Sequence, residues 1–240
     1  MCGIVGYTGF RDAYDIVING VRSLEYRGDD SAGVVRETEN GYFEVKKTKG
    51  KVDDLVAISN GLKNTSKIGM GHTRWATHGV PSDKNSHPHV SNNGKIALVH
   101  NGIIENYDTI KTMLINKNFE FHSETDTEVL ANLIQYFMDK EPTLEFSEAV
   151  RYALNEVYGA YAISVMHDDF PGQLIVARLG SPLAVGIGEN EYFVASDASP
   201  FVEFTKEAVY LEEGHMATIS LESGIDIRTI KENAKIEPAI

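Results

Sequence analysis

Apolar residues recur along the chain with two periods, one typical of helices and one typical of strands. The helical period occurs in four segments, 12–24, 105–116, 124–138 and 146–157. In the first segment Ile16, Val17 and Val21 fall on one face, as expected for an amphipathic helix packed on a core. The third segment is preceded by Ser123 and Thr125, either of which is a suitable N-terminal cap.

Short apolar runs separated by glycine, proline and aspartate predict strands. These runs cover 2–7, 68–75, 95–99, 161–166, 174–177, 183–188, 192–195 and 216–220. A lysine-rich stretch at 44–51 predicts an exposed hairpin. Because the helices are grouped between two strand-rich blocks, the order of elements predicts an α+β layered sandwich and disfavours a doubly wound sheet. The polar end, 231–240, predicts a linker or a frayed terminus.

Charge and cysteine content narrow the class of protein. The 240 residues include 22 lysines and arginines and 35 acidic residues, a formal charge of −13. This balance opposes binding to nucleic acid or to an acidic membrane surface. No apolar stretch approaches the ~18 residues of a membrane span, and the first residues lack a secretory leader. With a single cysteine, an internal disulfide is excluded, so we expect a soluble protein of the reducing cytoplasm.

The one cysteine lies directly after the initiator methionine. Removal of Met1 would leave the Cys2 thiol, with a reference pKa of ~8.5, beside an α-amine with a pKa of ~7.7–8.0. A thiolate is the reactive form of cysteine, and an N-terminal amine can act as its general base. A small buried hydrophobic residue is the alternative reading of such a cysteine. Position alone does not decide between the two.

Polar residues cluster in the stretch 72–79, HTRWATHG. The guanidinium of Arg74, next to threonine and histidine, suits recognition of a carboxylate. An ordinary polar loop after a strand explains the same residue types. Further along, Asn101 and the N–H of Gly102 could stabilise an oxyanion, although Asn-Gly is also favoured in simple turns.

The acidic stretch 123–128, SETDTE, opens the third predicted helix. Carboxylates favour the positive end of the helix dipole, so capping explains most of them, and one could instead hold a substrate ammonium. Five histidines fall between positions 72 and 100 and raise the question of a metal site. None has the spacing of a zinc-binding helix, so we expect no metal.

Six motifs occur in order over the first half of the chain. They are MCGIVG at 1–6, LEYRG at 24–28, DSAG at 30–33, HTRWATHG at 72–79, VHNG at 99–102 and SETDTE at 123–128. Together they resemble the glutaminase domains of the glutamine–fructose-6-phosphate aminotransferase family, which are class II glutamine amidotransferases. The resemblance implies an N-terminal-nucleophile hydrolase fold, a four-layer αββα sandwich with two antiparallel sheets.

The resemblance also implies roles for individual residues. Cys2 would be the nucleophile and its α-amine the base, with Asn101 and the Gly102 N–H as the oxyanion hole. Four residues would bind the substrate, with the first three near the α-carboxylate of glutamine and the last at its α-ammonium: Arg74, Thr77, His78 and Asp126. Two residues would support and gate the site, Arg27 and Trp75.

The implied activity is hydrolysis of the glutamine side-chain amide through a γ-glutamyl thioester on Cys2, without metal or organic cofactor. In a complete enzyme the ammonia would pass to fructose 6-phosphate to make glucosamine 6-phosphate, in amino sugar metabolism. Residues 1–225 would form the glutaminase domain, and 226–240 a linker toward a sugar-isomerase domain. The alternative is a catalytically silent domain that binds glutamine or regulates a partner. Asp29 replaces a family tyrosine, which bears on contacts with the partner domain.

Overall fold

A computed structural model of the chain describes residues 2–62, 66–76 and 78–240. The described residues form five α-helices: α1 Ala13–Ser23, α2 Val52–Ser59, α3 Tyr107–Asn116, α4 Asp126–Lys140 and α5 Phe146–Glu156. The strands of the first half are β1 Gly3–Thr8, β2 Ser31–Glu37, β3 Phe43–Lys49, β4 Ile68–Arg74, β5 His89–Val90 and β6 Ile96–Ile104. Those of the second half are β7 Gly159–His167, β8 Leu174–Leu179, β9 Ala184–Gly188, β10 Glu191–Ala195, β11 Ala208–Tyr210, β12 His215–Ser220, β13 Gly224–Thr229 and β14 Lys235–Ile236.

The strands pair antiparallel in two seven-stranded sheets. The first sheet has the order β11-β9-β10-β1-β4-β2-β3, and the second has the order β14-β13-β12-β8-β7-β6-β5. In the first sheet β1 lies between β10 and β4, with Gly3 opposite Thr73. In the second, β6 and β7 pair over nine positions, from Ile96–His167 to Ile104–Gly159. The N-terminal strand is therefore central to its sheet.

Three apolar clusters define four layers. Buried residues that include Ile4, Met70 and Val99 fill the space between the two sheets. The outer face of the first sheet packs on α1, and that of the second sheet packs on α3, α4 and α5. Because each helix buries an apolar stripe on a sheet, helices cover both outer faces. This arrangement confirms the predicted αββα sandwich.

Two elements, β2 and α2, were not predicted from the local sequence pattern. Strand β2, SAGVVRE, is buried at six successive positions, so it lacks the alternation of a strand with one wet face. The helix α2 was also missed, at only eight residues. The Asn101-Gly102 pair lies inside β6 and not at its end, since β6 continues to Ile104.

Gly102 has a backbone φ of +119°, and a Cβ atom there would lie 2.2 Å from the Ala160 carbonyl oxygen. Only glycine fits such a close approach at a positive φ.

The domain boundary predicted at 225/226 falls inside β13, and β14 extends the same sheet to Ile236. A linker role for the residues after β14 stays a prediction. The longest described helix, α4, has 15 residues and is too short and polar to cross a membrane.

Candidate active site

Cys2 immediately precedes β1 at the end of the sandwich where β4 and β6 also finish. Its Sγ atom accepts a hydrogen bond from the Trp75 N–H at 3.1 Å and lies 3.4 Å from the Trp75 carbonyl oxygen. These two contacts follow from the antiparallel register of β1 and β4, in which Gly3 lies opposite Thr73. Cys2, just before β1, is therefore brought next to Trp75, just after β4. The thiol is half-buried.

The segment that contacts the thiol is held by Asp30 at the start of β2. The Asp30 N–H donates to the Arg74 carbonyl oxygen at 3.2 Å, and the Asp30 carboxylate accepts from the Ala76 N–H. Asp30 belongs to the DSAG motif, and the sequence pattern predicted no role for it. Because Asp30 binds the backbone on both sides of Trp75, it keeps the Trp75 backbone in contact with the Cys2 thiol.

Asn101 contacts the backbone of the same cysteine. Its Nδ2 donates to the Cys2 carbonyl oxygen at 3.0 Å and to Ser196 Oγ at 3.1 Å. Ser196, just after β10, also accepts from the Ile4 N–H at 2.8 Å. The sequence carries no motif around Ser196 that would have marked it, because its position depends on the pairing of β10 with β1.

Two adjoining clefts share Cys2, Trp75 and Gly102. The first has a volume of about 170 Å³ and is also lined by Arg27, Asn101, Ile103, Ser181 and Pro182. The second is narrow, about 10 Å³, and is also lined by Arg74, His78, His87, His100, Thr125, Asp126 and Thr127. A larger cleft of about 780 Å³, around Glu37 and Gln173, contains none of the predicted site residues. The thiol therefore lies at the junction of the two smaller clefts.

Arg74, His78 and Asp126 meet in the second cleft. The guanidinium of Arg74 donates to the carbonyl oxygens of His78 and Gly79, the latter at 3.0 Å. Asp126 Oδ1 lies 3.6 Å from His78 Nδ1, while its Oδ2 accepts from the Ile104 N–H at 2.7 Å. The predicted contact Thr77 lies outside the described residues. A cationic and an anionic side chain thus face one small pocket.

Arg27 and Trp75 line the first cleft. The Arg27 side chain is only 11% exposed, and its Nε donates to Asp197 Oδ2 at 3.1 Å. The same carboxylate accepts from the Tyr26 hydroxyl. Trp75, by contrast, is 59% exposed. Asp29, which differs from the family pattern, lies at the surface, 3.9 Å from the ammonium of Lys51.

The electrostatic setting of the thiol is unfavourable to its charged form. Burial raises the pKa of Cys2, and the hydrogen bond from Trp75 and the nearby Arg74 guanidinium offset only part of this shift. Burial acts in the opposite direction on imidazoles. It lowers the pKa of His72 to about 3 and lowers the pKa of His100. A neutral thiol therefore sits beside neutral histidines.

Four of the five clustered histidines, His72, His87, His89 and His100, are buried together. Ring nitrogens of His89 and His100 contact the hydroxyls of Thr125 and Thr127 at 2.8 and 3.0 Å. These contacts give the rings hydrogen-bonding roles within the fold. A separate group with suitable donor atoms for a metal, His167, Asp168 and Asp169, is contacted by the Lys95 ammonium, 3.0 Å from Asp169. The Lys95 ammonium therefore offsets part of the negative charge of these two carboxylates.

The glutamine amidotransferase domain family matches residues 45–229. Over 220 residues the chain is 52% identical to "Glutamine--fructose-6-phosphate aminotransferase [isomerizing]" of Bacteroides thetaiotaomicron, covering 92% of the chain and 36% of that protein. The protein of that name from Chlorobaculum tepidum is 46% identical, covering 96% of the chain and 38% of the relative. The chain thus spans little more than a third of these relatives.

A solved structure gives the same result for the fold. The glutamine phosphoribosylpyrophosphate amidotransferase of B. subtilis superimposes with a TM-score of 0.80 at 31% identity, over 97% of this chain and 50% of that one. The N-terminal-nucleophile amidotransferase architecture predicted from the motifs is therefore confirmed. With a domain match over most of its length and relatives at about half identity, the chain belongs to the glutamine amidotransferase domain family.

Proposed function

We propose that this domain hydrolyses the side-chain amide of glutamine, with Cys2 as the nucleophile. The observation that carries the proposal is the position of Cys2 Sγ at the junction of two clefts. One cleft presents Arg74 and Asp126, which suit the carboxylate and ammonium of an amino acid. The other presents Asn101, and Gly102 lines both clefts. A glutamine spanning the junction would bring its amide carbon to Sγ.

Asp126 suits the substrate ammonium for two reasons. It is the first residue of α4, where the helix dipole stabilises a negative charge. Its Oδ2 is engaged by the Ile104 N–H, which leaves Oδ1 facing the pocket beside His78. Arg74 would use the donor capacity not engaged by the carbonyl oxygens of 78–80 to bind the α-carboxylate. A buried pair of opposite charges discriminates in favour of a zwitterionic amino acid.

In the proposed reaction the Cys2 sulfur attacks the amide carbon of glutamine, and the α-amine of Cys2 accepts the thiol proton. Asn101 Nδ2 and the Gly102 N–H stabilise the oxyanion. In the structure, one hydrogen of Asn101 Nδ2 is donated to the Cys2 carbonyl oxygen. To stabilise the oxyanion, Nδ2 must share this hydrogen with the substrate. The amine returns the proton to the departing ammonia. Water then cleaves the γ-glutamyl thioester and releases glutamate and the thiol.

The fate of the ammonia is inferred from the longer relatives. Their name describes transfer to fructose 6-phosphate with isomerisation, and this chain spans little more than a third of their length. We infer that a sugar-isomerase region, outside this chain, receives the ammonia and makes glucosamine 6-phosphate. Arg27 and the exposed Trp75 line the larger of the two clefts beside Cys2, where they would support and gate that passage.

The test is glutamate release by the purified chain with Met1 removed, compared with its Cys2→Ala variant. We expect hydrolysis by the wild-type chain only, with glutamine binding retained by both in calorimetry. Glutamate release by Cys2→Ala above a no-enzyme control would refute the assignment of the nucleophile. Binding without hydrolysis by the processed wild-type chain would instead identify a silent glutamine-binding domain.

A further inference from the structure

The Cys2 carbonyl oxygen, which can only accept a hydrogen bond, identifies the nitrogen end of the Asn101 amide. Its Nδ2 lies 3.0 Å from the Cys2 carbonyl oxygen, which has no hydrogen to donate. The nitrogen end of the amide must therefore face Cys2 and Ser196, and the oxygen end must face the other way. On that side Oδ1 lies 3.0 Å from His72 Nε2.

This assignment sets the tautomer of His72. Its Nε2 lies 3.0 Å from Asn101 Oδ1 and 3.1 Å from the His100 carbonyl oxygen, and both oxygens are acceptors. Nε2 must therefore carry the proton. His72 Nδ1 is buried and has no hydrogen-bond partner among the described residues. Because burial lowers the pKa of His72 to about 3, the ring stays neutral at physiological pH, with one proton.

The His72 ring is held in place by His87. The two rings stack with centroids 4.1 Å apart and planes at 10°. His87 in turn accepts at Nδ1 from the His100 N–H at 3.2 Å. The segment that carries His87 lies against β2 at Gly33, where a Cβ atom would come within 1.7 Å of the His87 carbonyl oxygen. Glycine in the DSAG motif thus permits the stacking arrangement.

A half-buried lysine on β3, Lys47, holds the same segment. Lys47 Nζ donates to the carbonyl oxygens of Ser86 at 2.9 Å and of Pro88 at 3.1 Å, on either side of His87. Burial lowers the pKa of Lys47 to about 8, which leaves most of the ammonium charged at neutral pH. Contacts from β2, β3 and β6 therefore fix the position of the His87 ring, on which His72 stacks.

We propose that His72 is the positioning residue of the oxyanion hole: its Nε2–H holds Asn101 Oδ1 and so keeps Nδ2 aimed at the nucleophile. The inference rests on the proposed function for its catalytic consequence. Without this donor only the Cys2 carbonyl oxygen and Ser196 Oγ, among the described residues, hold the Asn101 amide, and the contact with Cys2 weakens when Nδ2 turns that hydrogen to the oxyanion. Within the same part of the chain, the His72 Nε2–H makes the one hydrogen bond that holds the oxygen end of the amide while this happens. Binding of the amino-acid head at Arg74 and Asp126 does not involve His72.

The kinetic test uses a matched pair of substitutions. A glutamine side chain at position 72 places its amide nitrogen near the position of the imidazole Nε2. A methionine side chain there has the same length but no hydrogen-bond donor. We expect His72→Met to lower kcat about 10- to 100-fold, below the loss for complete removal of an oxyanion donor, with KM within about threefold. We expect His72→Gln to stay within about threefold of wild type. A His72→Met variant with wild-type kcat, or His72→Gln as slow as His72→Met, would overturn the proposal.

Replacement of a buried histidine far from the site is the control for a general loss of stability. His167 lies at the end of β7, away from the thiol, and is also buried. His167→Met should lower the melting temperature while kcat stays at the wild-type value. If His167→Met lowers kcat as much as His72→Met does, the effect belongs to stability and the positioning role is refuted.

An NMR measurement tests the geometry independently of glutaminase activity. In wild-type protein at pH 7, nitrogen shifts of the His72 ring should show a neutral imidazole with its proton on Nε2. The two side-chain amide protons of Asn101 should shift or broaden in His72→Met and not in His72→Gln. A proton on Nδ1 would overturn the proposal even if glutamine is hydrolysed. If glutamine is not hydrolysed, the proposed function fails while this tautomer test still applies.

Discussion

The backbone N–H of Trp75 lies 3.1 Å from the Sγ atom of Cys2, although the two residues are 73 positions apart. The Trp75 carbonyl oxygen lies 3.4 Å from the same sulfur. One backbone residue can therefore accept from the protonated thiol or donate to the thiolate. Trp75 is 59% exposed, so the residue whose backbone contacts the nucleophile has its side chain open to solvent.

The first prediction concerns the reactivity of the thiol. Because burial raises the pKa of Cys2, the thiol is protonated at pH 7, and its alkylation by iodoacetamide should rise about tenfold per pH unit. In the chain that retains Met1, we expect this rise to continue to a higher pH than for glutathione measured in parallel. The rate is followed by intact mass between pH 6 and 10. A plateau below pH 8 would contradict the raised pKa.

The second prediction concerns the two charged residues of the narrow cleft. Loss of one partner from a buried charged contact costs about 2–5 kcal/mol, which is at least about 30-fold in an equilibrium or specificity ratio. Arg74→Ala and Asp126→Ala should each lower kcat/KM for glutamine by that factor. Arg228→Ala, which breaks an ion pair with Asp226 on β13, is the control and should leave kcat/KM unchanged. Wild-type kcat/KM in both site variants would refute the substrate clamp.

A third prediction concerns the initiator methionine. With Met1 attached, the Cys2 nitrogen is an amide nitrogen without a basic lone pair. General-base assistance is typically worth about 10²–10⁴-fold, so an unprocessed chain should be slower by that factor. The comparison requires the same domain with and without an uncleavable residue block before Cys2, each verified by intact mass. Equal rates would point to a side chain such as His72 or His100 as the base.

The fourth prediction concerns stability in acid. Burial lowers the pKa of four histidines, His72, His87, His89 and His100. The unfolded chain, with histidine pKa values near ~6.5, binds more protons than the folded chain below that pH. Stability should therefore fall as the pH drops from 6.5, by up to about 1.4 kcal/mol per pH unit for each such histidine.

Urea unfolding at pH 7.5 and 5.5 measures this loss. Burial lowers the pKa of His167 to about 4, so His167→Met should remove one histidine's share of the pH dependence. An unfolding free energy that is equal at the two pH values would mean that the buried imidazoles bind protons in the folded state.

The local sequence pattern predicted those elements whose apolar face repeats within the element. The helix at 12–24 and the strand at 68–75 agree with α1 and β4 to within a residue or two. Strand β2 was missed because both of its faces are covered, which removes the alternation that marks a strand. The motifs, taken together, predicted the αββα architecture, and the family match confirms it.

The sequence by itself determined the fold class, the family and the identity of the one thiol, because these depend on local periodicity and on motifs read in order. The tertiary structure alone decided which side chains surround that thiol. Ser196 and His72 reach Asn101 through the pairing of β10 with β1 and the packing of one sheet on the other. The predicted roles of the site residues stay predictions. Hydrogen bonds between residues about 30 to 95 positions apart leave no periodic signal in a single sequence, since only the folded backbone brings their atoms to 3.0–3.1 Å.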